Sequence, residues 1–78
     1  MDIQRFKLLT LRVLEIVDDL GIHREAISIP LESSPRGDVR MPTPDRIEIV
    51  GPEGDPEPFL ASLRDRLCAL DLSRVPRA

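Results

Sequence analysis

The chain has 78 residues, a single cysteine, two phenylalanines and neither tyrosine nor tryptophan, and 14 acidic side chains outnumber 11 basic ones for a formal charge of −3. That length holds one domain, whose core removes only about 60% of the unfolded chain's surface from water. The lone Cys68 excludes an internal disulfide, the absence of a Cys/His cluster excludes a structural zinc site, and the acidic balance argues against a dedicated nucleic-acid binder. The extra burial that so small a domain needs is therefore expected from a second copy, and a homodimer is the default expectation.

The charge is uneven. Met1–Arg24 is neutral, Glu25–Glu57 carries eight acids against three arginines, and Pro58–Ala78 carries four arginines against two acids. Ten arginines beside one lysine, with no asparagine and one glutamine, is a composition met in bacterial proteins from GC-rich genomes and in thermophiles. The start of the chain does not read as a signal peptide, because Asp2 replaces the basic start and Arg12 interrupts the apolar run. No apolar run approaches the roughly 20 residues of a membrane-spanning helix, so no membrane partner is expected, and a cytoplasmic protein with a reduced thiol is.

The first element is a helix over Asp2–Leu20, capped by Asp2 and stopped by Gly21. At 100° per residue, Ile3, Phe6, Leu9, Val13, Ile16, Val17 and Leu20 share a broad core face. Leu8 and Leu11 lie on the opposite side among Gln4, Lys7, Glu15 and Asp18, with Leu14 at the margin. Adjacent exposed leucines make a patch. Either the proline-rich loop of the same chain covers it, or it forms a subunit interface.

After the connector Ile22–Glu25, the segment Ala26–Glu32 alternates, with Ile27, Ile29 and Leu31 on one face. Pro30 cannot donate to a ladder and marks it as an edge strand, open to a partner's strand. Ser33–Asp38 is a turn by composition, and Val39–Met41 is a short returning strand cut off by Pro42 and Pro44. A hairpin of Ile27–Glu32 with Asp38–Met41 competes with a loop over Ser33–Asp45 containing a brief strand, and the loop is slightly favoured. The next strand, Arg46–Val50, places Ile47 and Ile49 inward beside Val50. Gly51–Gly54 turns the chain into a second helix with Asp55 as N-cap and Pro56 at its first position. Phe59, Leu60, Leu63, Leu67 and Leu70 form its apolar stripe, while Arg64, Asp65 and Cys68 face away. Residues 1–72 are read as one domain and 73–78 as a flexible tail. The fold class is α+β: an α-β-(β)-β-α chain, two helices on one face of a small sheet expected to be antiparallel.

Chemistry finds little purchase. Glu53-Gly54-Asp55-Pro56-Glu57 alternates carboxylates as a calcium loop does, but Arg64 stands where the bidentate glutamate is required. The turn lacks a lysine for phosphate, and its own acids repel anions. Ile49-Val50-Gly51-Pro52-Glu53-Gly54 resembles the Gly-Pro-Glu-Gly motif of knotted RNA methyltransferases over six residues. It departs from that motif at Asp55, where the family has a glycine, and the chain is too short for the knot. Arg36-Gly37-Asp38 reads as an ordinary turn. His23, the sole histidine, sits where it can meet the last carbonyls of the first helix, and Cys68 reads as an inert or interface thiol. No catalytic site, metal or cofactor is expected. The functional reading is a non-catalytic protein-interaction or regulatory module, a homodimer whose interface draws on Leu8, Leu11, Leu14, Ile27 and Ile29. Another protein could dock on the sheet edge or the Ser33–Asp45 loop. The alternative is a nucleic-acid-binding module using Arg64, Arg66, Arg74 and Arg77.

Overall fold

A computed structural model describes residues 3–78. Its elements are α1 (Ile3–Asp19), a 3-10 turn (Arg24–Ala26), β1 (Ile27–Ser28), β2 (Ser33–Ser34), β3 (Asp38–Thr43), β4 (Arg46–Pro52) and α2 (Pro56–Cys68). The α+β class holds. The cap expected at Asp2 lies outside the described residues.

α1 runs 17 residues without glycine or proline and ends because Gly21 adopts φ +71°. There the Gly21 N–H donates to the Asp18 carbonyl at 3.0 Å and the Ile22 N–H to the Val17 carbonyl at 3.1 Å. This is the Schellman closure, with its apolar contact made by the fully buried pair Val17 and Ile22. The Arg24 guanidinium forks the Asp18 carboxylate at 3.1 and 2.7 Å just beyond the helix end. His23, expected to meet the last carbonyls of the helix, instead caps the following turn: its Nδ1 accepts from the Glu25 N–H at 3.1 Å. The Schellman bonds already engage the Val17 and Asp18 carbonyls, so the imidazole is free for that role. α2 begins as the sequence implies. Asp55 accepts from the Glu57 N–H at 3.1 Å, and Pro56 occupies the first helical position, where no N–H is needed.

The sheet differs from the expectation of antiparallel pairing. β4 is its hub and pairs with each of the other three strands. β3 runs antiparallel to it, but β1 and β2 run parallel, with Ile27 opposite Ile47 and Ser33 opposite Gly51. The expected strand Ala26–Glu32 survives only as Ile27–Ser28. Pro30 lacks an N–H, so pairing lapses over residues 29–32 and resumes two positions out of step at Ser33. Of the two alternatives, the hairpin between that strand and Asp38–Met41 does not form, because β3 turns back through Pro44-Asp45 and pairs with β4. Nor is Ser33–Asp45 a loop: β3 is six residues long and includes Pro42. Pro42 is tolerated because the ladder shifts register between Arg40 and Thr43, a bulge that asks for no donor there. Thr43 donates its hydroxyl to Asp45 across the turn at 2.6 Å.

Ile47 and Ile49 of β4 meet Leu9, Val13 and Val17 of α1 and Phe59, Leu60, Leu63 and Leu67 of α2 in one core. Two sequence expectations fail at the start of α1. Ile3 is 63% exposed, and Phe6 is half-buried without packing on the core. The short sheet gives the first turns of the helix nothing to lie on. The C-terminal segment, set apart in the sequence as a tail, folds back onto the connector after α1. Val75 enters the core, the His23 N–H donates to the Pro76 carbonyl at 2.9 Å, and the Ala78 N–H donates to the Gly21 carbonyl at 2.9 Å. The radius of gyration, 11.7 Å, matches the roughly 11.5 Å of one compact unit of this length.

Candidate functional site

Four regions bear residues that the sequence singles out. The first is the outer face of α1. Leu8 and Leu11 are 63% and 60% exposed, so the proline-rich segment of the same chain does not cover them. Leu14 is half-buried and takes no part in the core. On the helical wheel Leu14, Lys7, Leu11, Glu15 and Leu8 fall within an arc of about 120°, turned away from Leu9, Val13 and Val17. The charged side chains of α1 divide into two sets. Arg5 donates to the Gly54 carbonyl at 2.8 Å, Arg12 pairs with Glu57 at 3.1 Å, Asp18 with Arg24, and Asp19 with Arg64 at 3.0 Å. Lys7 and Glu15 have no partner among the described residues. Neither stood out from composition or spacing alone, because only the paired state of the other four distinguishes them.

A groove of about 330 Å³ adjoins this face where α1 passes the start of α2, floored by Leu8, Leu9, Pro52, Pro56 and Leu60. Arg5 and Arg12 cross its rim, but both are committed to the chain itself, so the groove presents apolar surface and satisfied charges.

The second region is the edge of the sheet. β1, β2 and β3 each pair with β4 alone and leave one backbone edge unpaired. Ile27 and Ile29, expected at an interface, are half-buried against the core, so β1 can offer a partner its backbone but little of these two side chains.

The third is a cluster on β3 and β4. Arg40 donates to Asp38 at 2.8 Å and to Glu48 at 3.1 Å, and lies 3.7 Å from Glu32. Hydrogen bonds from the Arg40 side chain, then from the Val39 N–H, hold the Asp38 carboxyl below its ordinary value of 3.8. A lowered carboxyl favours the folded state above the unfolded value, and that contribution fades as pH falls through the folded one. We expect Arg40→Gln to move the Asp38 titration back up toward 3.8, read by NMR of the side-chain carboxyl. An unmoved titration would assign the shift to the backbone amide. The group is solvent-exposed, so salt should shrink the difference.

The fourth region holds the arginines of the nucleic-acid alternative, which serve separate local roles. Arg64 and Arg66 point about 200° apart around α2. Arg64 reaches Asp19, Arg66 lies 5.5 Å from the centre of the Phe59 ring, and Arg77 donates to the Leu20 carbonyl at 2.9 Å. Arg74 sits beside Met41–Pro44. Cys68 is exposed at the end of α2. No helix of the described residues is long and apolar enough to cross a membrane. Comparison with protein-family models, with curated proteins and with solved structures gives no match for this chain.

Proposed function

We propose that this protein is a small non-catalytic protein-interaction module that acts as a homodimer, with the outer face of α1 as its working surface. The observation that carries the reading is the pair of leucines, Leu8 and Leu11, left in water on a helix whose other face already completes the core. Single exposed leucines are ordinary, but two on adjacent turns beside a half-buried third and an apolar groove make a contiguous patch, which is the usual mark of a binding surface. The unpaired edge of β1 is a second place where a partner could add a strand. The nucleic-acid alternative draws less support, since its arginines are spread over several sides of the fold and three of the four are engaged within the chain.

Sedimentation equilibrium of the wild type and of Leu8→Glu/Leu11→Glu tests the reading. The wild type is expected to be a dimer and the variant a monomer with an unchanged circular dichroism spectrum, because neither leucine supports the core. A wild type that stays monomeric up to several hundred micromolar would overturn the homodimer.

A further inference from the structure

The face of α1 that carries Leu8 and Leu11 is self-complementary. Taken about Leu11, Lys7 stands four residues before and Glu15 four residues after, while Leu8 and Leu14 stand three residues to either side. At 1.5 Å per residue, Lys7 and Glu15 lie about 6 Å above and below Leu11 along the axis. They are about 12 Å apart, too far to pair within one helix, where partners stand three or four residues apart. They are also the two charges on α1 without a partner among the described residues, whereas Arg5, Arg12, Asp18 and Asp19 are all satisfied inside the chain.

We infer that the partner of this face is a second copy of the same face, laid antiparallel across a two-fold axis at Leu11. This rests on the interaction reading above and adds the identity, direction and register of the partner. In that arrangement Leu11 meets Leu11 of the second copy, Leu8 meets Leu14, and Lys7 meets Glu15. Two-fold symmetry makes each contact twice, so both unpaired charges are satisfied on both copies. The parallel alternative sets Lys7 against Lys7 and Glu15 against Glu15, like charges across a contact, and sets the two helix dipoles side by side in the same direction. A contact of one helix from each copy belongs with the smallest specific interfaces, below about 1,200 Å² in total, so a dissociation constant in the micromolar range is expected.

Charge exchange tests direction and register together. Lys7→Glu and Glu15→Lys are measured separately, as an equimolar mixture, and combined in one chain, all by sedimentation equilibrium at low ionic strength with folding checked by circular dichroism. Each single variant places like charges at both symmetric contacts and should weaken self-association on the order of tenfold. The mixture should recover heterodimers, and the doubly exchanged chain should recover the wild-type constant. A dimer that Leu8→Glu/Leu11→Glu dissociates but that ignores both charge variants would overturn the antiparallel register and leave the interface reading standing. A dimer indifferent to the leucine and the charge variants alike would overturn both. Heterodimers of Lys7→Glu with wild type that are tighter than the wild-type homodimer would establish the parallel arrangement instead, because there the introduced glutamate faces Lys7, whereas the antiparallel register makes that mixture weaker than wild type.

Discussion

Gly37→Ala is expected to destabilise the fold by about 2–5 kcal/mol, measured by urea denaturation. Gly37 closes the turn between β2 and β3, its N–H donating to the Ser34 carbonyl at 3.3 Å with φ +74°. An alanine there meets two costs at once. The left-handed backbone alone costs an L-residue about 1–2 kcal/mol. In addition, the new methyl would stand 2.6 Å from Cε1 and 3.1 Å from Cγ of Phe59, whose ring is buried in the core and cannot move without displacing its neighbours. Gly21 separates the two costs. Its φ is +71°, but nothing lies within 4 Å of the added atom, so Gly21→Ala should cost only the backbone share. Equal losses at the two glycines would show that Phe59 yields freely and that the turn does not rest on it.

The second large effect lies on α2. Leu63→Ala should cost about 2–5 kcal/mol, because Leu63 is fully enclosed between the two helices and β4 and the void would not refill. A domain of this length is stable by only about 4–12 kcal/mol, and the melting temperature should fall by roughly 10–30 °C. Leu11→Ala removes the same atoms from the exposed face of α1 and should change the stability of the isolated subunit by no more than about 0.5 kcal/mol. The contrast measures burial directly. If Leu11→Ala proved as costly as Leu63→Ala at concentrations where the protein is a dimer, and harmless on dilution, the difference would be the worth of the self-contact.

The parts legible in sequence were those governed by local chemistry. Both helices, the αL stop at Gly21, the cap at Asp55 with Pro56 behind it, and the buried stripe of Phe59, Leu60, Leu63 and Leu67 follow from propensity, spacing and orphan backbone groups within a few residues. Pairing was not legible. Ile27–Glu32 and Asp38–Met41 read either as two halves of a hairpin, being neighbours along the chain, or as a strand followed by a loop over Ser33–Asp45. Yet the strands that form there, Ile27–Ser28 and Asp38–Thr43, are each hydrogen-bonded to Arg46–Pro52 instead. A strand's sequence states which faces it can bury, while its choice of partner depends on all strands present. Ile27 illustrates this, since the alternation that placed it on an interface serves the core equally well.

The two ends of the chain make the same division. Ile3 and Phe6 continue the apolar period of α1, but period says only which face is apolar, and the short sheet decides how much of that face is covered. Ser73–Ala78 carries two arginines, a proline and no helical pattern, so nothing local distinguishes a tail from a docked strap. Its place is set by backbone bonds to Gly21 and His23, more than 50 residues away. The sequence by itself determined the helices, the stop at Gly21, the cap at Asp55 and an unclaimed leucine face at Leu8, Leu11 and Leu14. Only the tertiary structure decided that the chain's own loop leaves that face open, and that Lys7 and Glu15 alone on α1 lack an intramolecular partner among the described residues. Satisfaction of a charge is a property of what surrounds it, and surroundings are assembled from distant parts of the chain.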